Sequence, residues 1–270
     1  MDTSFLDDII PEIRRAVEDP RYGGDLPEPD VARPRPSLRK ALLAARASGG
    51  LMVEYKRVSP GQAEPVLPFR TVAAFVEATR SNATAFSCLA TAPRFRGSPG
   101  HVAELARSVD RPVLFKDIVV DPRQVEVAAR TGAGAVLLIA RLADHGVPVE
   151  ELGSLADDAH RLGLEVVLEF HHRAELSRMA DVAADVYGVN VRDLGTLAID
   201  RATAEATLEA AAAEGRRPLL GLSGVEGAVD ARRFWDHGAD GILVGSAIAR
   251  SSHPAAFLAT LARPVSRRSE

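Results

Sequence analysis

The stretch PVLFKDIVVDPRQVEVAARTGAGAVLLI, residues 112–139, decides the fold. It opens on a short apolar run, PVLFK (112–116), passes through DPRQVEVAARTGA (121–133), whose apolar residues recur at helical spacing, and closes on a second apolar run, AVLLI (135–139). Runs this continuous in apolar residues belong to strands of a parallel sheet covered on both faces; a sheet with one wet face would alternate.

Outward from this unit the same rhythm repeats. Further short runs are LMVEY (51–55), AFSCL (85–89), EVVLEF (165–170), DVYGVN (185–190), PLLGL (218–222) and GILVG (241–245), which brings the strands to eight. Helical patterns long enough for crossovers separate them, among them RTVAAFVEATR, PVEELGSLADDAHRLG, RATAEATLEAAAAEG and DARRFWDHGA. Eight strand-then-helix units in about 220 residues match a (β/α)8 TIM barrel, whose usual size is about 250 residues. A doubly wound open sheet uses similar units, and the strand count favours the barrel.

Residues 1–50 read differently. Phe5, Ile9, Ile13 and Val17 fall at helical spacing behind Thr3 or Ser4 as N-cap, prolines and glycines break the chain between Pro20 and Pro36, and a second helix runs from about Ser37 to Ala47. The expected organisation is a helical extension over 1–50 packing on the barrel, the barrel over 51–262, and a flexible basic tail, RPVSRRSE, over 263–270.

Composition excludes several classes. Of 270 residues, 46% are hydrophobic and 26% charged, which is globular rather than disordered or collagen-like. Lys and Arg total 33 against 37 Asp and Glu, a net charge of −4, with only 9 Phe, 3 Tyr and 1 Trp; a nucleic-acid tracker needs the opposite balance and more stacking rings. The lone cysteine, Cys88, permits neither an internal disulfide nor a thiolate zinc site, and inside an apolar run it reads as a buried thiol. The acidic N-terminus and the absence of a long apolar run argue against a secretory signal or a membrane span. A cytoplasmic chain that needs neither membrane nor nucleic acid is expected.

In this barrel the chemistry sits at the C-terminal ends of the strands. There the sequence places Glu54 and Lys56, Lys116 followed by Asp117, Glu169, then Asn190 and Arg192, then Ser223-Gly224, then Gly245-Ser246. Taken alone, Lys116 reads better as a solvated strand end, and Glu169 and Glu54 carry the same ambiguity. Glu54 and Lys56, two apart, share a face, and charges closing strands 1, 3 and 5 together point to a shared site, because buried charge is costly unless paired or used. Glycine-serine steps after strands 7 and 8 suit phosphate, with Ser59 as a third contributor; the plain alternative makes Ser223 and Ser246 helix caps. His171-His172 lacks a third ligand at metal spacing, so no metal is expected, and Gly132-Ala133-Gly134 precedes a strand instead of following one, the wrong context for a dinucleotide.

These residues resemble the indole-3-glycerol phosphate synthase family of the tryptophan pathway. VEYKRVSP (53–60), the stretch over 112–139, LGLEVVLEFHH (162–172), GVNVRDLGTLAID (188–200), LSGV (222–225) and GADGILVGSAI (238–248) carry the likeness, which covers most of the chain. The resemblance implies a carboxy-lyase that closes the ring of 1-(2-carboxyphenylamino)-1-deoxyribulose 5-phosphate with loss of carbon dioxide and water, without a cofactor. It implies Lys116 as general acid, Glu169 as general base, and Glu54 with Lys56 assisting. Asn190, Arg192, Phe95 and Ser223 would bind substrate, Ser59, Gly224, Gly245 and Ser246 its phosphate, and the N-terminal helices would help cover the mouth. The expected partner is a phosphorylated small molecule, acted on by a monomer, with other pathway enzymes as further candidates.

Four positions depart from the family pattern. Leu222 stands where a glutamate is usual, Val191 replaces an asparagine, Ile118 a phenylalanine, and ATAPRF (90–95) lacks the glutamate of the corresponding loop. They keep two other readings open: a diverged paralogue acting on a related arylamino sugar phosphate, and a non-catalytic phosphate-binding barrel. The retained acid and base weigh against the second.

Overall fold

The computed structural model describes residues 4–24, 26, 34–58, 69 and 71–264. Eight parallel strands close into a barrel in chain order: β1 Gly50–Tyr55, β2 Ala85–Leu89, β3 Val113–Lys116, β4 Ala135–Ile139, β5 Glu165–Phe170, β6 Val186–Asn190, β7 Leu219–Leu222 and β8 Gly241–Val244. β1 seals the ring against β8, with Met52 opposite Leu243 and Val53 opposite Val244. The helices are α1 Phe5–Glu18, α2 Leu38–Ala45, α3 Val72–Thr79, α4 Pro99–Ser108, α5 Pro122–Arg130, α6 Val149–Arg161, α7 Arg173–Arg178, α8 Arg201–Ala213, α9 Ala228–Asp236, α10 Ser246–Arg250 and α11 Pro254–Thr260; a 3-10 turn, Ala140–Asp144, follows β4. None of them is long and apolar enough to cross a membrane.

Small differences from the expected boundaries have local causes. β3 and β7 start one residue late because Pro112 and Pro218 have no N–H for the ladder. Asp185 stays outside β6 because its carboxylate accepts the Val166 N–H at 2.9 Å. Gly245 leaves β8 to become the N-cap of α10.

The two helices of the extension go to opposite ends of the barrel, where a shared role over the mouth was expected. α1 buries Leu6, Ile9, Ile13 and Val17 and lies over the C-terminal mouth. Its first N–H donates to the Gly195 carbonyl at 3.2 Å in the loop after β6, Asp7 meets His145 at 2.7 Å after β4, and Glu12 meets Arg94 at 2.6 Å after β2. α2 closes the other end. Leu42 lies against the first residues of β1 and β8, where a Cβ on Gly50 would come within 3.0 Å of its methyl and one on Gly241 within 2.6 Å. Glu165 at the start of β5 accepts from the Arg39 N–H at 2.9 Å and from the Ser37 hydroxyl.

Asp240 clasps this floor. It is fully buried just before β8, accepts the Leu219 N–H at 2.8 Å, and pairs with Arg217 at 3.0 Å and Arg46 at 2.9 Å. Removing the carboxylate strands a buried N–H and two arginines. Asp240→Ala is expected to lower unfolding free energy by about 3 kcal/mol in urea titrations, while the mouth residues, at the far end of the strands, keep their geometry.

Candidate active site

Parity builds the site. Each strand contributes its last inward residue to one pocket at the mouth: Glu54, Leu89, Lys116, Ile139, Glu169, Asn190, Leu222 and Leu243. The ionisable members come from β1, β3 and β5, and the even strands supply apolar or amide groups, in keeping with the way alternate strands fill separate layers.

Glu54 is 4% exposed and lies between two lysines, 2.7 Å from Lys56 Nζ and 3.9 Å from Lys116 Nζ. Burial pushes its carboxyl upward, but the charges of Lys56 and Lys116 and the Lys56 hydrogen bond outweigh this and hold it below the usual carboxylate range. Gly245 faces this pair: a Cβ there would meet Glu54 Oε2 at 2.6 Å and Lys56 Nζ at 2.9 Å. Its lack of a side chain therefore serves the ion pair as well as any anion.

Lys116 is anchored through its neighbour. Asp117 turns into the protein, 5% exposed, and accepts from Thr91 Oγ1 at 2.5 Å, Gln124 Nε2 at 3.0 Å and its own neighbour's N–H, that of Ile118, at 2.9 Å. Gln124 also donates to the Ile118 carbonyl and accepts from the Val120 N–H, so KDIVVDPRQ is one hydrogen-bonded unit joining β2, β3 and α5. Burial raises the Asp117 carboxyl against the pull of Thr91, Gln124, Ile118 and the Lys116 charge. Across the mouth, Glu169 is 1% exposed and accepts from Asn190 Nδ2 at 3.0 Å, and the Arg192 N–H fixes that amide by donating to Asn190 Oδ1 at 2.9 Å. The Arg192 guanidinium donates to the Leu197 carbonyl at 2.9 Å. Asp193 closes the same loop by accepting from the N–H groups of Gly195 and Thr196.

Ser223, Gly224, Gly245 and Ser246 all line the pocket. Ser223 and Gly224 have successive φ values of 67° and 68°, and a Cβ at Gly224 would strike Val191 at 2.6 Å. The helix-cap alternative does not hold: α9 is capped at Gly227, and Ser246 is the first residue of α10, not its cap. Phe95 lines the pocket and packs edge-on against Phe5 of α1, 5.9 Å between centroids. Ser59 lies outside the described residues.

Sequence reasoning missed Phe5, Leu89, Ile139 and Leu243. The three strand residues follow from carrying the Glu54–Lys56 parity argument around every strand; Phe5 carries no signal beyond helical spacing. It also set His171 aside with the metal question, although two-residue spacing from Glu169 puts both on one side of the chain.

A closed parallel barrel gathering two lysines, two carboxylates and two glycine-serine steps in one buried mouth defines a (β/α)8-barrel enzyme. Two solved structures are similar in fold at low sequence identity. 3-Hexulose-6-phosphate synthase from Salmonella typhimurium has a TM-score of 0.60 and 15% identity over 78% of this chain and 96% of its own. A mutant tryptophan synthase alpha-subunit from Pyrococcus furiosus has 0.58 and 17% over 79% and 96%. The sequence model of indole-3-glycerol phosphate synthase matches residues 6–261. Indole-3-glycerol phosphate synthase 2 of Ralstonia nicotianae is 36% identical over 226 residues, 82% of this chain and 81% of that protein. The Methanopyrus kandleri synthase is 35% identical over 259 residues, 92% and 94%. The chain belongs to the indole-3-glycerol phosphate synthase family.

Asp117 accepts from three donors, so an amide there sets N–H against N–H. Asp117→Asn is expected to cost about 1–3 kcal/mol and to lower turnover with Lys116 still present; an unchanged melting temperature and rate would show that the clamp does not position the lysine.

Proposed function

We propose that this protein converts 1-(2-carboxyphenylamino)-1-deoxyribulose 5-phosphate to indole-3-glycerol phosphate. The observation that carries the reading is the placement of Lys116 and Glu169 on β3 and β5 in one pocket, with Glu54 pairing both lysines and the glycine-serine steps of β7 and β8 on the same rim. Lys116 protonates the carbonyl oxygen as the ring carbon bearing the carboxylate attacks the carbonyl carbon, and carbon dioxide then leaves to restore the aromatic ring. The new hydroxyl departs as water with a proton from the lysine side, and Glu169 takes the proton released by the neighbouring carbon, completing the indole. Glu54 and Lys56 assist by fixing the charged groups over the pocket. Asn190, Arg192, Phe95 and Ser223 bind the substrate, and Gly224, Gly245 and Ser246 hold its phosphate; Ser59, outside the described residues, is a further phosphate ligand by the family resemblance alone.

The substrate's own carboxylate is the leaving group, so the reaction calls for no cofactor. We propose that it acts as a monomer, and the single buried cysteine supports a cytoplasmic setting. Leu222 favours a second reading: fully buried in the pocket wall, it offers an apolar surface that suits a related arylamino sugar phosphate.

Lys116→Ala and Glu169→Gln are each expected to lower kcat by about 10²- to 10⁴-fold with circular dichroism and melting temperature preserved. Wild-type turnover by both would overturn the assignment. Across a panel of substituted anthranilate adducts the unsubstituted one is expected to show the highest kcat/KM; preference for a substituted adduct would move the assignment to the diverged paralogue.

A further inference from the structure

Glu169 and His171 form a buried pair whose hydrogen bonding is incomplete. Glu169 is 1% and His171 3% exposed, and His171 Nε2 lies 3.4 Å from Glu169 Oε1. Among the described residues, neither ring nitrogen of His171 has a hydrogen-bond partner, nor does Glu169 Oε2. Asn190 gives Oε1 its one neutral donor, and both lysines of the mouth are engaged with Glu54. Among the described residues His171 is the only Lys, Arg or His with a nitrogen within 4.0 Å of Glu169. Buried polar groups are nearly always satisfied, so two open groups side by side call for a functional explanation.

The charges around His171 come from every neighbouring element. Its backbone N–H donates to Glu175 Oε2 of α7 at 2.6 Å. Glu175 Oε1 lies 3.7 Å from Arg141 of the turn after β4, and Arg141 lies 3.4 Å from Asp193 after β6. His172 Nε2 is 3.8 Å from Asp193, and Arg192 leads the same loop. Arg141 thus bridges Glu175 and Asp193, while the Arg192 guanidinium is held by the Leu197 carbonyl, so His171 is the ionisable side chain left beside Glu169.

We propose that Glu169 and His171 are a proton-sharing pair in which His171 takes over the proton that Glu169 removes from the reacting intermediate. This rests on Glu169 acting as the base. The O–H bond at Glu169 Oε1 breaks, its electrons return to the carboxylate, and the lone pair of His171 Nε2 forms the new N–H bond. The acid becomes carboxylate, the imidazole becomes imidazolium, and the charge of the pair is unchanged. The proton returns by the same path when product leaves and water reaches Glu169. The separation of 3.4 Å is longer than a formed hydrogen bond, as catalytic contacts often are before substrate arrives. His171 is thereby a positioning residue acting through Glu169.

The test uses imidazole ¹⁵N NMR of His171 in the full-length protein across neutral pH, with His171→Gln to assign the signal. Replacing Glu169 by Gln is expected to move the His171 titration to lower pH by about one unit or more, because it removes an anion within ~4 Å. An unmoved titration overturns the pair, and this readout needs no activity. In turnover, His171→Gln keeps an N–H donor but cannot take a proton: kcat is expected to fall about tenfold or more with KM within about twofold and one ionisation lost from the pH profile. A wild-type rate and profile for His171→Gln would reduce His171 to a hydrogen-bond donor and overturn proton sharing. Normal turnover by Glu169→Gln would instead defeat the base assignment, and the proton transfer to His171 with it, whatever the NMR coupling shows.

Discussion

A carboxylate held almost out of water between two ammonium groups sets the terms for the mouth of this barrel. Glu54 can stay ionised at 4% exposure only because Lys56 and Lys116 outweigh its desolvation, and each neighbouring feature accommodates that arrangement. Gly245 has no side chain because the Lys56–Glu54 pair occupies the space where one would begin. Asp117 turns away from the lysine it follows and ties the chain to Thr91 and Gln124, so Lys116 projects from a fixed base rather than a free strand end. The ion pair therefore constrains residues on β1, β3 and β8 at once.

The extension divides its work between the barrel's two ends. α2 makes the floor, with Leu42 between Gly50 and Gly241 and Arg46 on Asp240, where packing and ion pairing serve stability. α1 makes part of the roof through contacts of another kind: a backbone hydrogen bond to Gly195, a side-chain hydrogen bond between Asp7 and His145, ion pairs to Arg94, and the Phe5–Phe95 edge contact. The ion pairs are partly exposed and individually weak, so the roof is held by separable contacts while the floor is locked by a buried charge. Stability at the N-terminal face and chemistry at the C-terminal face is the division this architecture favours.

Much of this was legible in the sequence, and the reason is periodicity. Buried parallel strands write themselves as apolar runs, and β2, β4 and β5 have the bounds of AFSCL, AVLLI and EVVLEF. Strand-end charges were legible because Lys116 and Glu169 interrupt such runs. What could not be read was anything that joins residues far apart in the chain. Asp117 and Gln124 are seven apart and could be matched as a motif, but their link to Thr91, just beyond the neighbouring strand β2, exists only in the barrel. The separation of α1 and α2 to opposite ends was hidden for the same reason: the proline- and glycine-rich connector gives no direction.

Leu222 gains meaning from the ring it belongs to. The inward residues of the odd strands are Glu54, Lys116, Glu169 and Leu222, so the last is the one odd-strand position without charge. Its side chain reaches over β6, where Gly188 leaves it room: a Cβ on Gly188 would come within 2.7 Å of the leucine methyl and 3.6 Å of Glu169 Cα. A carboxylate at this position would set a second negative charge on the β7 side of the mouth, near Glu169, and like charges sharing a buried site disfavour each other's ionised forms. With leucine there, Glu169 stands as the only carboxylate among the last inward residues of β5 to β8, facing Asn190 on one side and His171 on the other. The apolar wall and the carboxylate–imidazole pair are thus two sides of one arrangement, in which the carboxylate at the β5 side of the mouth has, among the described residues, His171 as its one basic side chain within 4.0 Å.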